Sequence, residues 1–217
     1  MNPEKERSSL LSDMKVTKGS RFNAAERLRR RDRRNTIIVS FASAYVIVLT
    51  VIPITFHVPE YINSMITVAI ILFSIIILIY SLIQYSSGDP VKAEQNHRCA
   101  LEINALRRRL SFLPHITFDN LSVYAKEYDD ILQRYNVNHE PVDFETYKIE
   151  HPAEYPLLDD RKAVQKDVNR ENSVFHAVIT SMSAAIILTF LGVLANYMVV
   201  FFSKYHILDP LINMLSK

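Results

Sequence analysis

Three stretches of the chain, 35–59, 61–88 and 172–203, contain no Asp, Glu, Lys or Arg. A bilayer core about 30 Å thick is crossed by roughly 20 apolar helical residues. Each stretch is therefore long enough to span, and none carries a charge to desolvate. The polar segment between the second and third runs has helical periodicity. Ser86, Ser87, Gly88, Asp89 and Pro90 interrupt the second run. Gly favours a helix stop, Asp an N-cap and Pro a first helical position. Beyond them, Cys99, Ile103, Leu106 and Leu110 recur at steps of four, three and four, which marks one helix face. Leu113-Pro114 ends that helix. Thr117 caps the next, whose apolar face is Leu121, Tyr124, Tyr128, Ile131, Leu132 and Tyr135. Pro141, Pro152 and Pro156 bound an irregular stretch, and 159–172 reads as a charged helical lead into the third run.

No strand alternation and no internal repeat occurs. The expected fold is an all-α membrane protein: an N-terminal two-helix transmembrane hairpin, a cytoplasmic helical segment and a third, C-terminal transmembrane helix. The boundaries are a basic arm at 1–34, the hairpin at 35–88, the helical domain at 89–172, the third span at 173–203 and a tail at 204–217. Pro53 is a candidate kink near the outer end of the first span.

Charge orients this arrangement. The first 34 residues hold 11 Lys/Arg against 5 Asp/Glu, whereas 86–172 hold 12 against 16. Lys and Arg near span ends favour the cytoplasmic side. The expected topology is multi-pass in the bacterial inner membrane, with a cytoplasmic N-terminus and an exterior C-terminus. The arm has no apolar core of a secretory signal. A basic arm suits nucleic acid or anionic lipid. Its place against a span favours lipid, and no sequence-specific nucleic-acid binding is expected. Arg27, Arg29, Arg30, Arg31, Arg33 and Arg34 are the candidate headgroup and orientation residues, and a hinge candidate where one helix runs on into the bilayer.

Polar side chains inside the runs form stripes. In the first run they are Ser40, Ser43 and Thr50, and in the second Thr67, Ser74 and Ser81. In the third they are Ser181, Thr189, Gly192 and Asn196. Each set lies on one helical face. Two readings stay open: close helix packing through small residues and hydroxyls, or the lining of a water-filled path in an oligomer. The absence of a charged residue at membrane depth disfavours an ion-coupled transporter.

Enzymatic chemistry is hard to place. Three scattered glycines form no phosphate loop, the histidines lack metal-binding spacing, and no GxSxG occurs. Cys99, the single cysteine, excludes an intramolecular disulfide and reads as a packed helical residue. Neither catalysis, a metal nor a cofactor is expected.

The order of elements, with the stretches RFNAAERLRRRDRRNTIIVSFASAYVIVL, EQNHRCALEINALRRRL and YNVNHEPVDFETYK, resembles the SLATT family of two-transmembrane effector domains of prokaryotic nucleotide-signalling and anti-phage systems. The resemblance covers roughly residues 21–148. The last stretch is similar to the branch that accompanies reverse transcriptases. The resemblance implies a homo-oligomeric effector that forms a pore or disrupts the membrane, arresting or killing the cell. It implies membrane lipid as a partner, and a reverse transcriptase or a nucleotide-second-messenger synthase as a cytoplasmic one. A non-pore anchor that recruits such an enzyme is the alternative. Asn138, His139 and Asp143 match the family element, either as caps that order the loop around Pro141 or as ligand-binding groups.

Overall fold

A computed structural model describes residues 2–56, 58–156 and nine helical positions between 173 and 198. The described order is α1 (Pro3–Thr55), α2 (Glu60–Ser87), α3 (Asp89–Ser111), α4 (Phe118–Tyr135) and α5 (Pro141–Glu150). No strand occurs among the described residues, so the all-α expectation holds. The third span and the charged lead before it lie outside the described residues, apart from those nine positions. The described residues divide into two compact units, a polar one of residues up to 35 with 84 onward and an apolar one of 36–83 with the positions beyond 172.

In the polar unit, α1 and α3 run antiparallel. As α1 numbers rise from Arg7 to Arg31, their α3 partners fall from Leu110 to Asp89. Cys99, Ile103, Leu106 and Leu110 are all fully buried, as their spacing requires. They pack with Met14 of α1 and with Leu121 and Ile131 of α4, while Tyr124, Tyr128, Leu132 and Tyr135 close the edge. Burying each large aliphatic side chain contributes about 1.5–3 kcal/mol. That core turns a basic arm into the first third of a helical bundle. Leu10 and Leu11 join Met14 on it, a short apolar stripe that the surrounding charges obscure in the sequence.

The caps explain where these helices start. Thr117 accepts from the Asn120 N–H at 3.3 Å, as expected for an N-cap. α3 is capped one residue earlier than expected. Gly88 is its N-cap in the left-handed region (φ 64°), and Asp89 and Pro90 are its first residues. Its far end is capped by a residue that spacing does not reveal: Arg7 Nη2 donates to the carbonyls of Leu110, Ser111 and Leu113, each at 2.9 Å. A guanidinium there satisfies orphan carbonyls and complements the negative helix end.

The stretch bounded by Pro141 and Pro152 is more regular than expected. Pro141 fits the first turn, where no N–H is needed, and residues 141–150 form α5.

In the apolar unit, α2 buries none of its residues. Ile71, Leu72, Ile76, Leu78, Ile79, Leu82 and Ile83 each stand more than half exposed. Tyr45 and Phe73 meet edge to face, with centroids 6.0 Å apart. α1 and α2 are each long and apolar enough to cross a membrane. Pro53 lies inside the last turn of α1, which ends at Thr55.

Candidate functional site

Arg27 and Arg31 are four residues apart on α1 and so share a face. Each meets a nearly fully buried carboxylate. Arg31 donates from Nε to Asp89 Oδ2 at 2.6 Å and from Nη2 to Oδ1 at 2.5 Å. The Asp89 side chain is only 2 % exposed. It lies at the positive end of α3, where an acid is favoured. The Arg31 hydrogen bonds hold its carboxyl below the usual range, against the opposing effect of burial.

Arg27 makes the second fork, Nε to Asp143 Oδ1 at 2.8 Å and Nη2 to Asp143 Oδ2 at 3.0 Å. The same Nη2 lies 3.1 Å from Glu140 Oε1. Asp143 is 2 % exposed on its side chain and also accepts the Glu140 N–H at 2.8 Å, which closes the first turn of α5. One carboxylate thus caps α5 and docks it on α1.

A third arginine lies deeper. Arg21 Nη1 donates to Asn96 Oδ1 at 3.2 Å and to the Val137 carbonyl. Next to it, His139 is half buried, with Nδ1 unpartnered. Burial pushes the His139 imidazole pKa down and the Arg21 charge adds to this, while Asp143 opposes it. Asn138 is exposed. The α5 contact is completed at Gly19. A Cβ there would come within 2.2 Å of the Tyr147 ring, so only glycine lets α5 lie this close. Tyr147 in turn stacks on His151, with centroids 4.0 Å apart.

The two forks, a clamp joining α1 to α3 and α5, draw on Arg27 and Arg31, which precede the first apolar run in sequence, and on Asp89, which follows the second. Gln84 donates to Asp32 Oδ1 at 3.2 Å, joining the end of α2 to α1 within the polar unit. No group of three or more His, Cys, Asp or Glu suited to a metal occurs among the described residues.

The other arginines differ. Arg29 pairs with Glu94 at 3.3 Å, and Arg30 with Glu26 of its own helix at 2.7 Å. Arg33 is exposed and Arg34 half buried. The run assigned from sequence to headgroups therefore commits Arg27 and Arg31 to protein carboxylates.

Five of the stripe hydroxyls bond their own helices. Ser40 donates to the Thr36 carbonyl at 2.8 Å and Thr50 to Val46 at 2.8 Å. Thr67 donates to Asn63 at 2.9 Å, Ser81 to Ile77 at 2.7 Å and Ser181 to Ala177 at 2.7 Å. Ser74 is exposed and Ser43 half buried. Gly192 is exposed and helical, while Thr189 and Asn196 fall outside the described residues.

Among the described residues, a helical polar unit and two apolar helices long enough to span describe a membrane protein. The chain belongs to the SMODS and SLOG-associating 2TM effector domain family 5, which matches residues 4–202. It is thus a membrane effector of the nucleotide-signalling and defence class. The match reaches beyond 21–148, into both the basic arm and the third apolar run. No curated protein and no solved structure matches it.

Proposed function

We propose that the protein is a pore-forming or membrane-disrupting effector of anti-phage defence, kept silent by the clamp. The observation that carries this reading is the Arg27–Asp143 and Arg31–Asp89 pairing. It ties α1, α3 and α5 together within eight residues of the start of the uncharged run at Asn35. In this reading the polar unit is cytoplasmic, the bilayer is the bacterial inner membrane, and several copies assemble. A trigger on α3–α5 loosens the clamp, and α1 and α2 repack to open a path. The stripe hydroxyls suit both states. Ser40, Thr50, Thr67, Ser81 and Ser181 each spend the proton on their own helix and keep lone pairs for water. A lone hairpin cannot enclose a pore, so closed symmetric assembly is part of the proposal.

The trigger would come from a nucleotide-second-messenger synthase or, given the element 135–148, from a reverse transcriptase. Purified chain whose clamp is broken by Arg27→Ala and Arg31→Ala tests the reading in planar bilayers. Discrete conductance steps support it, whereas an electrically silent bilayer containing inserted chain contradicts it. The competing reading is a non-pore anchor that recruits a defence enzyme. It draws on an open groove of about 530 Å³ lined by Pro90, Val91, Gln95, Arg98, Arg134 and Tyr135. It requires the polar unit alone to bind that enzyme, with the stripes tolerant of Leu.

A further inference from the structure

The two halves of the clamp are mounted differently. Asp89 belongs to a 23-residue helix, whereas Asp143 and Glu140 sit at the start of α5, which has ten residues. An isolated helix shorter than about 12–15 residues is marginal in water, so α5 depends on its docking contacts. Those on α1 include the Arg27 fork, Asn23 Nδ2 to the Asp143 carbonyl and to Glu150 Oε2, both at 3.3 Å, and Tyr147 on Gly19. Glu140 keeps 58 % of its side chain exposed, so one anion in the Arg27 seat already opens to solvent.

The seat itself has a second natural class of ligand. A guanidinium fork binds phosphate with the same two-point geometry as carboxylate. Arg30, one turn nearer the apolar run on the same face, is 65 % exposed and among the described residues pairs with Glu26 of its own helix. Arg27 precedes Asn35 by eight residues, about 12 Å of helix. The headgroup layer on each side of the hydrocarbon core is about 5–8 Å deep. A long arginine stem directed toward the bilayer covers the remainder.

We propose that Arg27 with Arg30 is a seat for the phosphate group of an anionic lipid headgroup, filled in this structure by the α5 carboxylates. Docking of α5 and binding of the headgroup then exclude each other. The bilayer surface becomes a competitor that releases α5. This rests on the chain lying in a membrane and not on pore formation.

The test uses full-length chain in nanodiscs of phosphatidylcholine alone or mixed with anionic phosphatidylglycerol, read by amide hydrogen exchange. Residues 141–150 should exchange about tenfold faster in the anionic discs, while 99–110 in the core stay protected. Inorganic phosphate added to neutral discs at matched ionic strength should leave α5 protected. Arg30→Gln, which touches no α5 group, should keep α5 docked and abolish the lipid response. Equal α5 exchange in both lipids, release by free phosphate, or an undiminished response in Arg30→Gln overturns the proposal. The readout is not electrical. A chain that never conducts leaves this result standing, and an unresponsive α5 leaves the pore reading standing.

Discussion

Arg27 and Asp143 lie 116 positions apart and form a two-point ion pair at 2.8 and 3.0 Å, with the Asp143 side chain almost fully buried. Removing one member leaves the other charge desolvated and unpaired. The cost should be about 2–4 kcal/mol of α5 docking, below the largest buried-pair values because Arg27 keeps a quarter of its surface in water. Arg27→Ala and Asp143→Asn should each accelerate amide exchange in α5. The double variant should cost much less than both together, and simple additivity would mean that the pair is not the coupling.

Gly19→Ala sets two effects against each other. Alanine improves helix propensity by about 1 kcal/mol. Its methyl, however, would overlap the Tyr147 ring at 2.2–2.3 Å, so α5 must shift. Net loss of α5 protection is expected, with partial recovery when Tyr147→Leu is added. Tyr147→Phe alone should be neutral or slightly stabilising, since the hydroxyl is buried with no partner among the described residues.

Docking should weaken in acid. Burial, with Arg21 nearby, depresses the His139 pKa in the folded state. Such a group contributes stability that is fully present above its unfolded value, about 6.5, and is lost as pH falls through the lower folded value. The protection of α5 amides relative to their intrinsic exchange rate should therefore fall below about pH 6.5, and His139→Gln should flatten that dependence. Asp89 follows the same sign with a lower window. Its carboxyl is held down by Arg31, so its contribution is present above about pH 3.9 and disappears as pH falls through the folded value.

Cys99 is a native reporter of core opening. It is fully buried, and burial pushes its thiol pKa up. Alkylation should be slow in the folded chain and rise only when the α3–α4 core opens. Leu106→Ala, at about 2–5 kcal/mol, should speed it markedly. If α5 alone is released, labelling of Cys99 should stay slow.

What the sequence reveals follows from periodicity. Cys99 to Leu110 and Leu121 to Tyr135 recur at helical steps over long stretches, and the first face is fully buried while the second is buried at Leu121 and Ile131 and half-buried at its tyrosines and Leu132. Thr117 is legible because a cap is a local interaction. The clamp is not legible. Arg27 and Arg31 sit in a run of arginines that local reasoning gives to lipid, and their partners at Asp143 and Asp89 lie far along the chain. The available signal was complementary charge, a basic arm and an acidic centre, which pattern alone does not pair residue by residue. Arg7 on α3 and Tyr147 on Gly19 are likewise tertiary contacts without a local signature.

The membrane potential of cells on induced expression is the most direct measurement. The pore-forming reading predicts collapse of the potential when the clamp is broken by Arg27→Ala and Arg31→Ala, and a much weaker collapse when Ser74→Leu and Ser81→Leu are added on the stripe of α2. Growth arrest with the potential intact would contradict it.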